Sequence, residues 1–125
     1  MYKIRKTKRI EAAHHLPNHD GKCARPHGHT FTITFEIEGA TLNTQGPKAG
    51  MVIDYYDVGQ VMKDTVEIYD HQDLNAFFEN PTSENIAQAI FAKSAPLISD
   101  KSNRMAHLLK VLVSETQDSV AEYEV

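Results

Sequence analysis

The chain has 125 residues, 41% hydrophobic and 24% charged, which is the size and make-up of one globular domain over 1–125 and excludes a second of comparable size. A formal charge of -4 with neutral histidines offers no footprint for nucleic acid or for a membrane surface, and no run of about 18 apolar residues is present to span a bilayer. One cysteine excludes an intramolecular disulfide and fits a reducing cytoplasm, as does the lack of an apolar secretory stretch at the N-terminus.

Tyr2 to Ala13 opens with five basic residues, Lys3, Arg5, Lys6, Lys8 and Arg9, and reads as a strand with a charged, solvated face at a sheet edge. Leu16 to Pro26 turns to Pro, Asn, Asp and Gly and is a loop carrying Cys23. His29 to Gly39 alternates strictly, with Phe31, Ile33, Phe35 and Ile37 on one face and Thr30, Thr32, Thr34, Glu36 and Glu38 on the other, the pattern of a half-buried strand. Thr41 to Gly50 is a turn-rich connection, and Met51 to Ile53 is a short buried strand. Asp54 or Asp57 can cap a helix reaching about Tyr69, with Val58, Val61, Met62, Thr65, Ile68 and Tyr69 on its apolar side. Asp70 to Asn75 is polar and irregular. Thr82 or Ser83 caps a second helix to about Ala95, and Pro96 marks its end. Met105 to Glu115 alternates again, with Met105, His107, Leu109, Val111 and Val113 on one face, and Ser119 to Val125 can pair with it. The order strand, strand, helix, helix, strand, strand predicts an α+β fold: a four-stranded antiparallel sheet with both helices on one face. Such a sheet leaves a face and two edges uncovered, and oligomerisation would cover them.

Five of the seven histidines (His14, His15, His19, His27, His29) share one short stretch with Cys23. His27 and His29 are two apart on a strand, so their side chains leave the same face. His14 ends the neighbouring strand, and three neutral imidazoles with one free position form the arrangement of a catalytic zinc ion. Cys23 has three readings at this level: a small buried hydrophobe, a fourth zinc ligand in a Cys-x3-His-x-His run, or a nucleophile or base near the metal, with Lys22 and Arg25 flanking it. Asp70 and His71 are adjacent, either as solvated turn residues or as a relay in which the carboxylate sets the imidazole tautomer. Glu115 is in phase with Val111 and Val113, so it points to the side that should be occupied. A ligand edge with two N–H donors would satisfy it. Glu84 suits the first turn of a helix as a complement to its dipole.

Taken together, EAAHHLP at 11–17, KCARPHGHTF at 22–31, GMVIDYYDV at 50–58, DHQDLN at 70–75, PTSENIA at 81–87 and SET at 114–116 resemble the 6-pyruvoyl-tetrahydropterin synthase family. The resemblance is closest to its bacterial branch, which makes 6-carboxytetrahydropterin for queuosine biosynthesis. It implies that His14, His27 and His29 bind Zn2+, that Cys23 is the catalytic base, and that Asp70 and His71 form a proton relay. It also implies that Glu115 anchors the pterin ring edge and that Thr82, Ser83 and Glu84 line the pterin site. The implied substrate is 7,8-dihydroneopterin triphosphate, converted with loss of triphosphate and acetaldehyde. The Cys-x3-His-x-His spacing matches the carboxy-forming branch, and cysteine at 23 differs from the glutamate of a branch that yields a hydroxymethyl product. The pyruvoyl-forming reaction is the alternative. A non-catalytic zinc-binding assembly module would instead coordinate Cys23 and leave Asp70, His71 and Glu115 idle. The chain departs from relatives at Tyr69, usually leucine, and at His15, commonly arginine. The implied fold is the tunnelling fold, whose subunits join sheets into a barrel as a trimer or a dimer of trimers, with active sites between subunits. No nucleic-acid or membrane partner is implied.

Overall fold

A computed structural model describes residues 1–125, with strands β1 (Tyr2–His14), β2 (His27–Gly39), β3 (Gln72–Asp73), β4 (Ala106–Thr116) and β5 (Ser119–Glu124) and helices α1 (Tyr55–Thr65) and α2 (Ser83–Lys101). The sheet order is β3-β1-β2-β4-β5. It is antiparallel except for β3, which pairs in parallel with Ala12 and Ala13 of β1. The predicted sheet is thus present with one addition, a two-residue strand from the DHQD segment. The outer edge of β1 is paired only at Ala12 and Ala13.

The β1–β2 register places Ile10 opposite Phe31, Ala12 opposite His29 and His14 opposite His27. Alternation then puts Ile10, Ala12 and His14 on the same face as Phe31, Ile33, Phe35 and Ile37, and all seven are buried. Both helices cover that face, closing a core in which Val58, Val61 and Met62 of α1 and Ile86, Ile90 and Ile98 of α2 meet the sheet. Each such side chain taken from water stabilises the fold by about 1.5–3 kcal/mol. The other face is polar: Thr7 and Thr34 share a 2.8 Å hydroxyl contact, and Arg5 Nε donates to Glu36 at 3.0 Å. No helix is long and apolar enough to cross a membrane.

Several boundaries differ from the sequence reading, each for a physical reason. Met51 to Ile53 is a bend and not a strand, although Val52 and Ile53 are buried. Asp54, not Asp57, caps α1, its Oδ1 accepting from the Tyr56 N–H at 2.9 Å. Lys48 bridges Asp54 and Asp57 and pins the preceding loop to that cap. The helix stops at Thr65, and a separate 3-10 turn over Glu67–Tyr69 buries Tyr69 while leaving Ile68 exposed. Pro96 lies inside α2, which runs on to Lys101. The proline costs about 3 kcal/mol in a helix interior, but the extra turn seats Ile98 in the core. In β4 the register shifts between Glu36/Ile37, leaving Leu109 unpaired as a bulge. The shift reverses the phase, so Ala106 and Leu108 are buried in place of Met105, His107 and Leu109. His107 points outward and meets Glu38 at 2.7 Å.

Candidate active site

The histidines converge where β1 ends and β2 begins. Their ring centroids are 4.6 Å (His14–His27), 4.9 Å (His27–His29) and 5.2 Å (His14–His29) apart, and one ligand nitrogen from each lies within 4.8 Å of the others. His14 Nδ1 is 2.7 Å from the Pro81 carbonyl, and His27 Nδ1 is 2.7 Å from the Arg25 carbonyl. A carbonyl oxygen only accepts, so both Nδ1 atoms carry the hydrogen, which leaves Nε2 of each ring as the nitrogen that could bind a cation. His14 Nε2 and His29 Nε2 are buried without a hydrogen-bond partner. Orphaned buried acceptors cost stability unless something takes them up, and a cation bound by imidazole nitrogens would. Burial holds His29 below the usual histidine range, the Glu115 carboxylate opposes this, and His14 and His27 reinforce it. His29 is therefore a neutral donor at neutral pH. Three such nitrogens fit a zinc ion with one position free.

Cys23 sits in a one-turn 3-10 helix, Lys22–Ala24, and is half-buried and free. The fold brings it to a cavity of about 400 Å³ shared with Lys22, Arg25, His27, His29 and Glu115. Cys23 does not join the histidine cluster as a ligand. Glu115 extends from the end of β4 with Oε2 3.5 Å from His29 Nε2 and Oε1 3.8 Å from His14 Nε2. Thr82 caps α2 by accepting from the Asn85 N–H at 3.1 Å. Ser83 Oγ donates to Glu115 Oε1 at 3.0 Å. Thr82, Ser83 and Glu84 line a second cavity of about 370 Å³, which meets the first at Glu115.

Asp70 and His71 are not brought to either cavity. His71 Nδ1 is 3.1 Å from Asp70 Oδ2, so the pair itself forms, but the His71 side chain is 78% exposed. It lines a groove with Glu11, Thr30 and Asp73 that shares Gly28 and His29 with the Cys23 cavity but reaches neither Cys23 nor Glu115. The backbone of His71 is left-handed, with φ 59°, which turns the chain into β3. Asp70 Oδ1 also accepts from the Glu11 N–H at 2.8 Å. That bond, and after it the one to His71, holds the Asp70 carboxyl below the usual carboxylate range.

Two features of the site had no assigned role in the sequence reading. The Pro81 and Arg25 carbonyls fix the histidine tautomers, and backbone acceptors leave no trace in side-chain chemistry. Asn75 belongs to the quoted DHQDLN run. Its Oδ1 accepts from the His15 N–H and its Nδ2 donates to the His15 carbonyl, both at 2.9 Å, so it clamps the chain next to His14.

An α+β sheet with a three-histidine cluster that could hold a metal ion, a free thiol beside it and a carboxylate above it is the arrangement of a candidate enzyme site. Comparison with known proteins narrows it. Residues 3–125 match the family model described as 6-pyruvoyl tetrahydropterin synthase. The chain is 39% identical over 126 residues to the 6-carboxy-5,6,7,8-tetrahydropterin synthase of Synechocystis sp., covering 98% of this chain and 93% of that protein. It is 41% identical over 89 residues to the Haemophilus influenzae protein of the same name, covering 70% and 60%. Among solved structures, Caenorhabditis elegans 6-pyruvoyl tetrahydropterin synthase superposes with a TM-score of 0.80 at 28% identity, covering 99% of this chain and 95% of that one. The chain belongs to the 6-pyruvoyl tetrahydropterin synthase family, an enzyme family of tetrahydropterin synthases with the tunnelling fold.

Proposed function

We propose that this chain, as one domain over 1–125, is a zinc-dependent 6-carboxy-5,6,7,8-tetrahydropterin synthase. It would convert 7,8-dihydroneopterin triphosphate to 6-carboxytetrahydropterin with release of triphosphate and acetaldehyde, a lyase-type step toward queuosine. The observation that carries this reading is Cys23 in one cavity with His27, His29 and Glu115, reached through a Cys-x3-His-x-His run. The relatives that cover most of the chain and bear the carboxy-forming name support the product.

His14, His27 and His29 would hold zinc through their free nitrogens. An ion held there would supply a Lewis acid able to polarise the substrate's side-chain oxygens and acidify the neighbouring protons. Cys23 takes a proton from the side chain as its thiolate, in a cavity that also carries Lys22 and Arg25. Both oxygens of Glu115 can accept from the paired N–H donors of the pterin edge. The second cavity, lined by Thr82, Ser83 and Glu84, adjoins that carboxylate and suits the ring. Lys22 and Arg25 are the cations nearest the thiol and suit the triphosphate, which a chain of net charge -4 must bind locally. Asp70 orients His71 for a second proton transfer. Because His71 is largely exposed and lines a groove that holds neither Cys23 nor Glu115, we assign the pair to the site of a neighbouring subunit in a homo-oligomer, a trimer or a pair of trimers forming a homohexamer. A free cysteine and no disulfide support a cytoplasmic location.

Incubation with dihydroneopterin triphosphate and mass analysis of the product tests the reading. 6-Carboxytetrahydropterin is expected. A pyruvoyl or hydroxymethyl product, or none, would overturn it.

A further inference from the structure

Cys23 rides on a turn of three residues, Lys22–Ala24, that has no side-chain cap. A single 3-10 turn is marginal by itself, so the groups that tie it down decide where the sulfur lies. Two backbone ties reach it from the ends of β1 and β2. At the end of the turn, the Arg25 carbonyl accepts from His27 Nδ1–H at 2.7 Å. At its centre, the Cys23 carbonyl accepts from the Leu16 N–H at 2.8 Å. Leu16 lies two residues beyond His14, and its own carbonyl accepts from the His19 N–H at 3.0 Å. Pro17 follows it and restricts its backbone to extended forms.

Leu16 also lines the second cavity, with Thr82, Ser83, Glu84 and Glu115. Those four are polar and suit the edge of a heterocycle, whereas the faces of a flat ring need apolar surface. Leu16 is the largest apolar residue in that lining. We infer that Leu16 is a positioning residue: its side chain is a wall for the face of the pterin ring, and its backbone N–H registers Cys23 against that ring. This rests on the pterin reading of the second cavity. A base acts only within hydrogen-bond reach of the proton it removes, and a displacement of about 1 Å can cost a hundredfold in rate. One residue shared by the ring cavity and the thiol turn keeps the two at a fixed separation.

Two readouts on the zinc-loaded protein test this without turnover. One is neopterin binding, followed by its fluorescence. The other is the rate at which iodoacetamide alkylates Cys23, the single cysteine, with and without neopterin. In wild type, bound neopterin is expected to slow alkylation. L16A should keep its zinc, bind neopterin roughly tenfold more weakly, and alkylate Cys23 at a changed rate with the protection lost even at saturating neopterin. L16M refills the volume and should restore both readouts. P17A keeps the leucine side chain but frees its backbone. It should change the alkylation rate while neopterin affinity stays near that of wild type, and it tests the same link if L16A fails to fold. Alkylation unchanged in both L16A and P17A would overturn the inference, and so would unchanged neopterin affinity in L16A. Failure to form the carboxy product with these readouts as expected would overturn the proposed reaction and leave the positioning role standing. A wild-type protein that binds no neopterin would overturn both.

Discussion

His14 has little freedom, and the source of its restraint is local. Strand phase buries it, the Pro81 carbonyl takes its Nδ1 hydrogen, and the remaining nitrogen points at His29 and Glu115. Alternation and antiparallel pairing made the histidine trio legible, because residues 14, 27 and 29 must meet on one face once β1 and β2 pair across their ends. The tautomers were not legible, since they depend on backbone carbonyls, that of Pro81 in a distant turn and that of Arg25 just before β2. The thiol and the imidazoles should separate cleanly by mutation. C23A is expected to retain stoichiometric zinc and the wild-type circular dichroism while losing turnover by at least about a hundredfold, the scale of a lost general base. H27A is expected to lose the metal, as read by elemental analysis. Zinc lost from C23A instead would make the thiol a ligand. Asp70 gives a pH prediction. Its folded carboxyl ionises more readily than the unfolded one, so its stabilisation is complete above the ordinary carboxylate range, near about pH 4. It fades as pH falls through that range and below it. D70N should lose that acid-sensitive component, seen as acid unfolding curves of mutant and wild type that converge at low pH and part as pH rises.

At the scale of elements, the segment 70–75 acts as a strap. Asp70 and His71 bond to Glu11, β3 pairs with Ala12 and Ala13, and Asn75 closes on both backbone groups of His15. Glu11, Ala12, Ala13 and His15, on either side of His14, are thus fastened to one run. A polar, irregular stretch gives no periodic signal, which is why the strand within it was invisible in the sequence. N75A removes two bonds to half-buried backbone groups, each worth about 1 kcal/mol. It should weaken zinc binding more than it lowers the melting temperature of the metal-free protein, measured by metal competition and calorimetry. A fall in melting temperature with unchanged zinc affinity would make the clamp purely structural. Pro96 is the converse case, a strong local signal overruled by packing. Its ring denies the Ala92 carbonyl an N–H, yet α2 continues because Ile98 has a place in the core. Since Pro96 is exposed, P96A should restore the bond without a cavity and raise the melting temperature by several degrees, equivalent to about 1 kcal/mol or more.

The whole molecule leaves sheet surfaces and an edge uncovered. Its sheet has one covered face, a polar face laced by pairs such as Arg5–Glu36, and an outer strand β5 without a neighbour on its far side. Cys23, His27 and His29 open to one cavity, while His71 lines an adjoining groove that shares Gly28 and His29 but contains neither the thiol nor Glu115. If one reaction uses both sets, as we propose, two copies must supply them, and the topology of a closed ring of subunits does so repeatedly. Mixing inactive variants distinguishes this from a site within one chain. C23A lacks the thiol but keeps the relay, and H71A lacks the imidazole but keeps the thiol. When the two are unfolded together and reassembled in equal amounts, about a quarter of the sites formed between random neighbours join an intact thiol to an intact relay. Activity near that fraction of wild type is expected in the mixture, with none in C23A alone and little in H71A alone. If Cys23, Asp70 and His71 act within one chain, every subunit in the mixture remains defective and activity stays at the level of the separate variants, however large the assembly that light scattering reports.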